Sequence, residues 1–159
     1  IDKTNEYCKI QLVNGEEGFI PRQDDVELKN RTDILSVANS LIGVPYLWGG
    51  KSSFGYDCSG FVQMVLKNAG ISIPRDTGPQ IKSDLLEEIS ITETQPGDLV
   101  FFSKDNHINH VAFIIGDGNI IHCSGEVKLE SIIEGEPGFN SKLTKLDHTF
   151  TSISNMVSS

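Results

Sequence analysis

The chain has 159 residues, 38% of them hydrophobic and 22% charged, enough for one domain with a real core. Its net charge is −9 with no Lys/Arg cluster, so the basic footprint of a nucleic-acid binder is absent and the acidity reads as solvated surface. No apolar run approaches the roughly 18 residues of a membrane-spanning helix.

Residues 1 to 28 read as strands: "YCKIQLV" alternates in part, "NGEEG" is a turn and "FIP" resumes the apolar signal. The polar stretch "RQDDVELKNRTD" reads as a linker, with a boundary near Leu28. The first residue is Ile1 rather than Met, which suggests a processed chain with sequence missing upstream. From Asp33, an expected N-cap, the residues Ile34, Leu35, Val37, Ala38, Leu41 and Ile42 follow mostly helical spacing, and Gly43 and Pro45 stop it. A Gly-rich aromatic loop, "PYLWGGKSSFGYD", leads to a helix over 58–69. "IPRDTGPQ" is a loop before a weaker helix expected around 79 to 87. "LVFF", "HVAFII", "NIIHCS" and "VKLESII" read as an antiparallel meander, and "HTFTSIS" as one more strand. Helices first and strands after imply an α+β fold, with helices packed on one face of an antiparallel sheet.

The three cysteines, Cys8, Cys58 and Cys123, form no C-x-x-C pair and, being odd in number, no disulfide framework. Cys8 reads as a strand residue and Cys123 as a small residue packed behind the sheet. Cys58 opens the apolar stripe of its helix, followed on the same face by Phe61, Val62, Val65, Leu66 and Ala69. Such a cysteine reads either as a small core residue or as a nucleophile. Its place in the first helical turn is expected to favour thiolate, and Asp57 and Ser59 suit an open edge.

A thiol nucleophile needs a base, and the base needs an orienter. His110 and His122 bracket one hairpin. A two-residue loop at Asp117–Gly118 would put them on opposite faces. A three-residue loop at 116–118 would pair Ala112 with His122 and make the histidines diagonal neighbours, about 7–8 Å apart between Cα atoms. Zinc held by Cys58, His110 and His122 is an alternative, without the short-spaced signature such sites carry. His107 reads as surface, and His148 as surface or strand edge. Asp57 has the alternative role of helix N-cap, and Arg75 and Asp76 that of a local ion pair and cap.

"VPYLWGGKSSFGYDCSGF", "PGDLVFF" and "NHVAFIIGDGNIIH" resemble the NlpC-type cell-wall cysteine peptidases, a papain-like group of peptidoglycan hydrolases, over roughly residues 33 to 155. The resemblance implies Cys58 as nucleophile, His110 as general base and His122 as its orienting partner. It places the Cys58 N–H and the Tyr46 hydroxyl at the oxyanion and requires no metal or other cofactor. "IPRDTGPQ" and "VNGEEGFIP" further resemble the γ-D-glutamyl-L-diamino-acid endopeptidases, also called dipeptidyl-peptidase VI. On that resemblance residues 1–28 are the last strands of an SH3-like domain, or a β arm, and 29–159 are the peptidase domain.

The implied substrates are murein peptides or peptidoglycan, cut between γ-D-glutamate and meso-diaminopimelate or L-lysine, with a free N-terminal L-alanine. Asp57 and Tyr46 would bind its ammonium, Ser59 and Thr77 would contact substrate, and Trp48, Tyr46 and Phe54 would wall the cleft. Thr77 departs from the expected serine by one methyl. A bacterial monomer is implied, in the cell envelope or periplasm, or as a cytoplasmic recycling enzyme. The rivals are a transferase or amidase of the same fold, and an inactive wall-binding module.

Overall fold

A computed structural model describes residues 7–11, 15–21 and 30–153. Strands β1 (Tyr7–Gln11) and β2 (Glu17–Pro21) pair antiparallel in a sheet of their own. The expected boundary at Leu28 and the side chain of Cys8 lie outside the described residues.

Helix α1 (Arg31–Ser40) starts earlier than expected, because Asn30 rather than Asp33 is its N-cap. Asn30 Oδ1 accepts from the Asp33 N–H at 3.0 Å, and Asp33 Oδ2 accepts from the Asn30 N–H at 3.3 Å, a reciprocal capping box. The aromatic loop folds into a small hairpin, β3 (Lys51–Ser52) with β4 (Gly55–Tyr56), immediately before α2 (Cys58–Asn68). Helix α2 buries the expected stripe of Cys58, Phe61, Val62, Val65 and Leu66, and Gly70 follows in the left-handed region.

The third expected helix, around 79 to 87, is corrected. Helix α3 (Thr77–Ile81) is one short turn, and Leu86–Ile89 is strand β5, hydrogen-bonded to the sheet edge. Its two central residues, Glu87 and Glu88, are exposed charges of the kind that protect an edge strand from further pairing.

The remaining strands are β6 (Leu99–Lys104), β7 (His107–Gly116), β8 (Asn119–Ser124), β9 (Glu126–Ser131) and β10 (Asp147–Ile153). They form an antiparallel sheet in the order β5-β10-β6-β7-β8-β9. Leu99, Phe101, Val111, Phe113 and Ile121 meet α2 on one face, with the Phe61 ring edge-on to Phe113 at 5.9 Å. Val100, Phe102, Ala112, Ile114 and Ile120 fill the other face under Leu143, Ile132 and Leu146. The segment 132–146 therefore adds a covering that an arrangement of helices on one face did not include. No helix among the described residues is long and apolar enough to cross a membrane.

Candidate active site

The first turn of α2 is fixed by its cap. Asp57 Oδ1 accepts from the Gly60 N–H at 2.7 Å, and Oδ2 accepts from the Gly49 N–H of the aromatic loop at 2.9 Å. Gly60 is required because a Cβ there would run into the Gly50 carbonyl oxygen and approach Asp57 Oδ1 at 2.9 Å. The close approach of loop to helix thus explains why a glycine follows "DCS". Gln80, fully buried, donates from Nε2 to the carbonyls of Ser59 and Pro74, both at 3.0 Å, and so ties the next loop to the same turn.

Across from this turn stand β7 and β8. Their connection is a two-residue turn, Asp117 and Gly118, both at positive φ (50° and 69°). An irregularity between Ile114 and Gly116 then shifts the register, so that Phe113 faces Ile121 and Ile114 faces Ile120. That is the register of the expected three-residue loop, reached by a bulge, and it puts both histidines on one face. The ladder ends at Phe113–Ile121 although both strands continue, and the α2 N-terminus lies against this opening. There the Val111 N–H is near enough to the Cys58 sulfur to favour its thiolate, and Cys123 Sγ donates to the Tyr56 carbonyl at 3.1 Å.

His110 Nε2 lies 2.6 Å from His122 Nδ1, and His122 Nε2 lies 2.9 Å from Glu130 Oε2 on β9. His122 is fully buried. Glu130 is itself held by Lys128 Nζ at 2.8 Å and by Asn140 Nδ2 at 2.5 Å. Phe102 stacks at a tilt on His110, with centroids 5.8 Å apart, and edge-on against His148 at 5.1 Å. His148 is thus partly buried, with Nε2 3.1 Å from the Leu143 carbonyl, while His107 is exposed.

A cleft of about 870 Å³ collects the expected site residues: Tyr46, Trp48, Asp57, Cys58, Ser59, Thr77 and His110 all line it. His122 stands behind His110, away from the cleft wall. Trp48 is 86% exposed at the rim, and Phe54, 85% exposed, is not among the lining residues. Ser59 Oγ donates to Asp57 Oδ1 at 3.3 Å and accepts from Arg75 at 2.9 Å, and Thr77 Oγ1 donates to the Ile108 carbonyl at 3.3 Å. Arg75 pairs with Asp57 rather than Asp76, and Asp76 precedes α3 without a side-chain cap.

The electrostatics differ from expectation at the thiol. Burial, and then the Asp57 charge, push the Cys58 pKa up, outweighing the N–H groups of Ser59, Val111 and Cys58 itself. The favourable helix terminus is present, but desolvation exceeds it. Burial, and then His122, push the His110 pKa down to about 3, against the pull of Glu130. His122 is also lowered, chiefly by burial. Burial would raise Glu130, but its bonds to Lys128 and Asn140 and the neighbouring His122 leave it lowered. The resting pair is therefore a neutral thiol and a neutral imidazole. Burial, and beside it the Asp57 carboxylate, hold the Tyr46 hydroxyl above its ordinary range, so it remains a donor.

Sequence reasoning missed Glu130 and Asn140. The signal was the alternation of "VKLES", which places Lys128 and Glu130 on one face of β9. Only the β8–β9 register, His122 facing Lys128, brings Glu130 diagonally to the histidine.

Comparison with known proteins identifies the family and the fold. Residues 43–145 match the NlpC/P60 family profile. A γ-D-glutamyl-L-lysine dipeptidyl-peptidase of Bacillus cereus is 36% identical over 82% of this chain and 42% of its own length. That of Bacillus subtilis is 38% identical over 77% of this chain and 43% of its own. A crystal structure of an NlpC/P60 family protein from Bacillus cereus superposes with a TM-score of 0.69 at 31% identity, covering 94% of this chain and 51% of that one. The chain thus spans less than half the length of these curated relatives.

Proposed function

The chain belongs to the NlpC/P60 family, and from that premise we propose that it is a cysteine peptidase hydrolysing the γ-D-glutamyl–diamino acid bond of peptidoglycan stem peptides. The observation that carries this reading is one cleft lined both by Cys58, at a helix N-terminus, and by His110, whose Nε2 is held by a second histidine. In this reading His110 takes the thiol proton as the sulfur attacks the γ-glutamyl carbonyl. A neutral pair supports proton transfer coupled to attack. The Cys58 N–H and the Tyr46 hydroxyl donate to the oxyanion, each such donor typically contributing about 3 kcal/mol. His110 then protonates the leaving amine, and water releases the thioester.

The preference for a free N-terminal L-alanine rests on Asp57 and Tyr46 at the cleft, with Ser59, Thr77 and Trp48 as further substrate contacts. Asp57 already holds Arg75, so an ammonium would join an existing pair. Residues 1–28, whose β1–β2 hairpin pairs apart from the main sheet, fit the end of an SH3-like domain ahead of a peptidase domain from residue 29.

The test is digestion of L-Ala-γ-D-Glu-meso-diaminopimelate, its L-lysine counterpart and their N-acetylated twins, beside Cys58→Ala, with products read by mass spectrometry. Release of L-Ala-D-Glu from the free-amine peptides alone, abolished by Cys58→Ala, is expected. Cleavage of the acetylated peptides would overturn the amine preference. Acyl transfer to added amines would favour a transferase. Binding without turnover would favour a wall-binding module.

A further inference from the structure

The histidine pair does not end at His122, and the chain of polar atoms beyond it determines where protons sit. Glu130 is ionised and can only accept. It accepts from Lys128 Nζ at Oε1, and from Asn140 Nδ2 and His122 Nε2 at Oε2. His122 must therefore carry its proton on Nε2. A neutral imidazole has one N–H, so His122 Nδ1 is a bare lone pair. His110 Nε2 is 2.6 Å from that lone pair and must be the donor. His110 in turn keeps a bare Nδ1, its one free basic nitrogen, on a ring that lines the cleft with Cys58.

We propose that Glu130, held by Lys128 and Asn140, is a positioning residue that fixes the tautomers of both histidines and so keeps His110 Nδ1 available as base. The inference rests on the reading of His110 as the base toward Cys58. Glu130 touches neither the cleft nor the thiol and acts through His122. The charged groups on these rings are Glu130 and Lys128 from β9, with His122 also acting on His110, while Asp57 acts on the thiol from the start of α2. Lys128 has a defined part: it occupies Oε1 and leaves Oε2 to His122 and Asn140. A glutamine at 130 satisfies only one of these demands, since one of its two terminal atoms is itself a donor.

Two measurements test this. In the unmodified protein labelled with 15N-histidine, two-bond 1H–15N correlations at neutral pH, assigned by loss of signal in His110→Ala and His122→Ala, report the tautomers directly. Both rings are expected as Nε2–H, and a proton on His110 Nδ1 would overturn the proposal without any variant having to fold. Second, the rate of Cys58 alkylation by iodoacetamide, located by mass spectrometry, is followed against pH for the wild type, His110→Ala, Glu130→Gln and Glu130→Asp.

Glu130→Gln is expected to slow alkylation near neutral pH by about tenfold, the lower end for loss of an orienting partner. It should also populate His110 Nδ1–H. Glu130→Asp, which keeps the carboxylate, should recover part of the rate. If His110→Ala slows alkylation and Glu130→Gln does not, the role of Glu130 falls while His110 as base survives. If His110→Ala has no effect either, the base reading itself falls.

Discussion

The guanidinium of Arg75 holds both carboxylate oxygens of Asp57, at 2.9 Å and 2.6 Å, on the residue that caps the helix beginning with Cys58. The pair joins three functions in one place. It ends the helix, it ties the loop at 74–77 to that end, and it sets the charge beside the thiol. Burial would raise the Asp57 carboxyl, but Arg75 and the N–H groups of Gly60 and Gly49 hold it below the usual range.

Replacing Arg75 by alanine leaves Asp57 ionised and mostly buried with two N–H partners. A loss of about 2–3 kcal/mol is expected, below the full effect of breaking a buried pair because those two bonds remain. The urea midpoint reports it. Cys58 alkylation at neutral pH should also slow, since the uncompensated carboxylate opposes thiolate. A midpoint within error of the wild type would refute the structural role of the pair.

Asp57→Asn separates charge from capping. Asparagine still caps α2, so the helix should persist. The negative charge that raises the Cys58 pKa is removed, and iodoacetamide should react faster at neutral pH. If Asp57 binds the substrate ammonium, KM for free-amine peptides should rise in the same variant. Faster alkylation with unchanged KM would leave Asp57 as cap and counterion only.

Gly60→Ala puts a methyl group where the Gly50 carbonyl already stands. Overpacking of this kind typically costs about 1–3 kcal/mol, and here it should force the aromatic loop off the helix. Calorimetry should show the lower Tm, and activity should fall further than stability because Tyr46 moves with the loop.

Acid should weaken the fold in a defined window. His110 is pushed from 6.5 down to about 3, and His122 is lowered too, so below the ordinary histidine range the unfolded chain binds protons that the native one refuses. That contribution is complete above about 6.5 and is lost as pH falls toward 3. The lowered carboxyls of Asp57 and Glu130 act in the same direction, stabilising above the carboxylate range and failing as pH drops through their folded values. Tm measured from pH 7.5 down to 4 should decline, and His122→Asn should flatten the upper part of the decline. A Tm that rises over this interval would contradict the assignment.

Much of this site could be read from residue spacing, because helix α2 is decided locally. A cysteine opening an apolar stripe, an aspartate before it and a glycine after it determine where the thiol stands. The histidine register was reachable only as a choice between loop lengths, since the bulge after Ile114 depends on how the strands twist together. Glu130 escaped, and Arg75 was given Asp76 as its partner, because the true partners, His122 and Asp57, come from other elements, and sequence distance carries no record of that pairing. Strand β5 was misread because "LLEEI" satisfies a helical spacing as well as a strand one, and only hydrogen bonding to β10 decides between them. The raised thiol pKa depended on burial, which a helix-terminus argument leaves out.

The chain has a single tryptophan, and the fold leaves it 86% exposed at the rim of the cleft that holds Cys58 and His110. Its indole is nearly as hydrated in the native protein as in the unfolded chain. Intrinsic fluorescence is accordingly a poor gauge of denaturation here and a direct gauge of cleft occupancy: emission should change little through the thermal transition, and shift to the blue when a peptide covers Trp48.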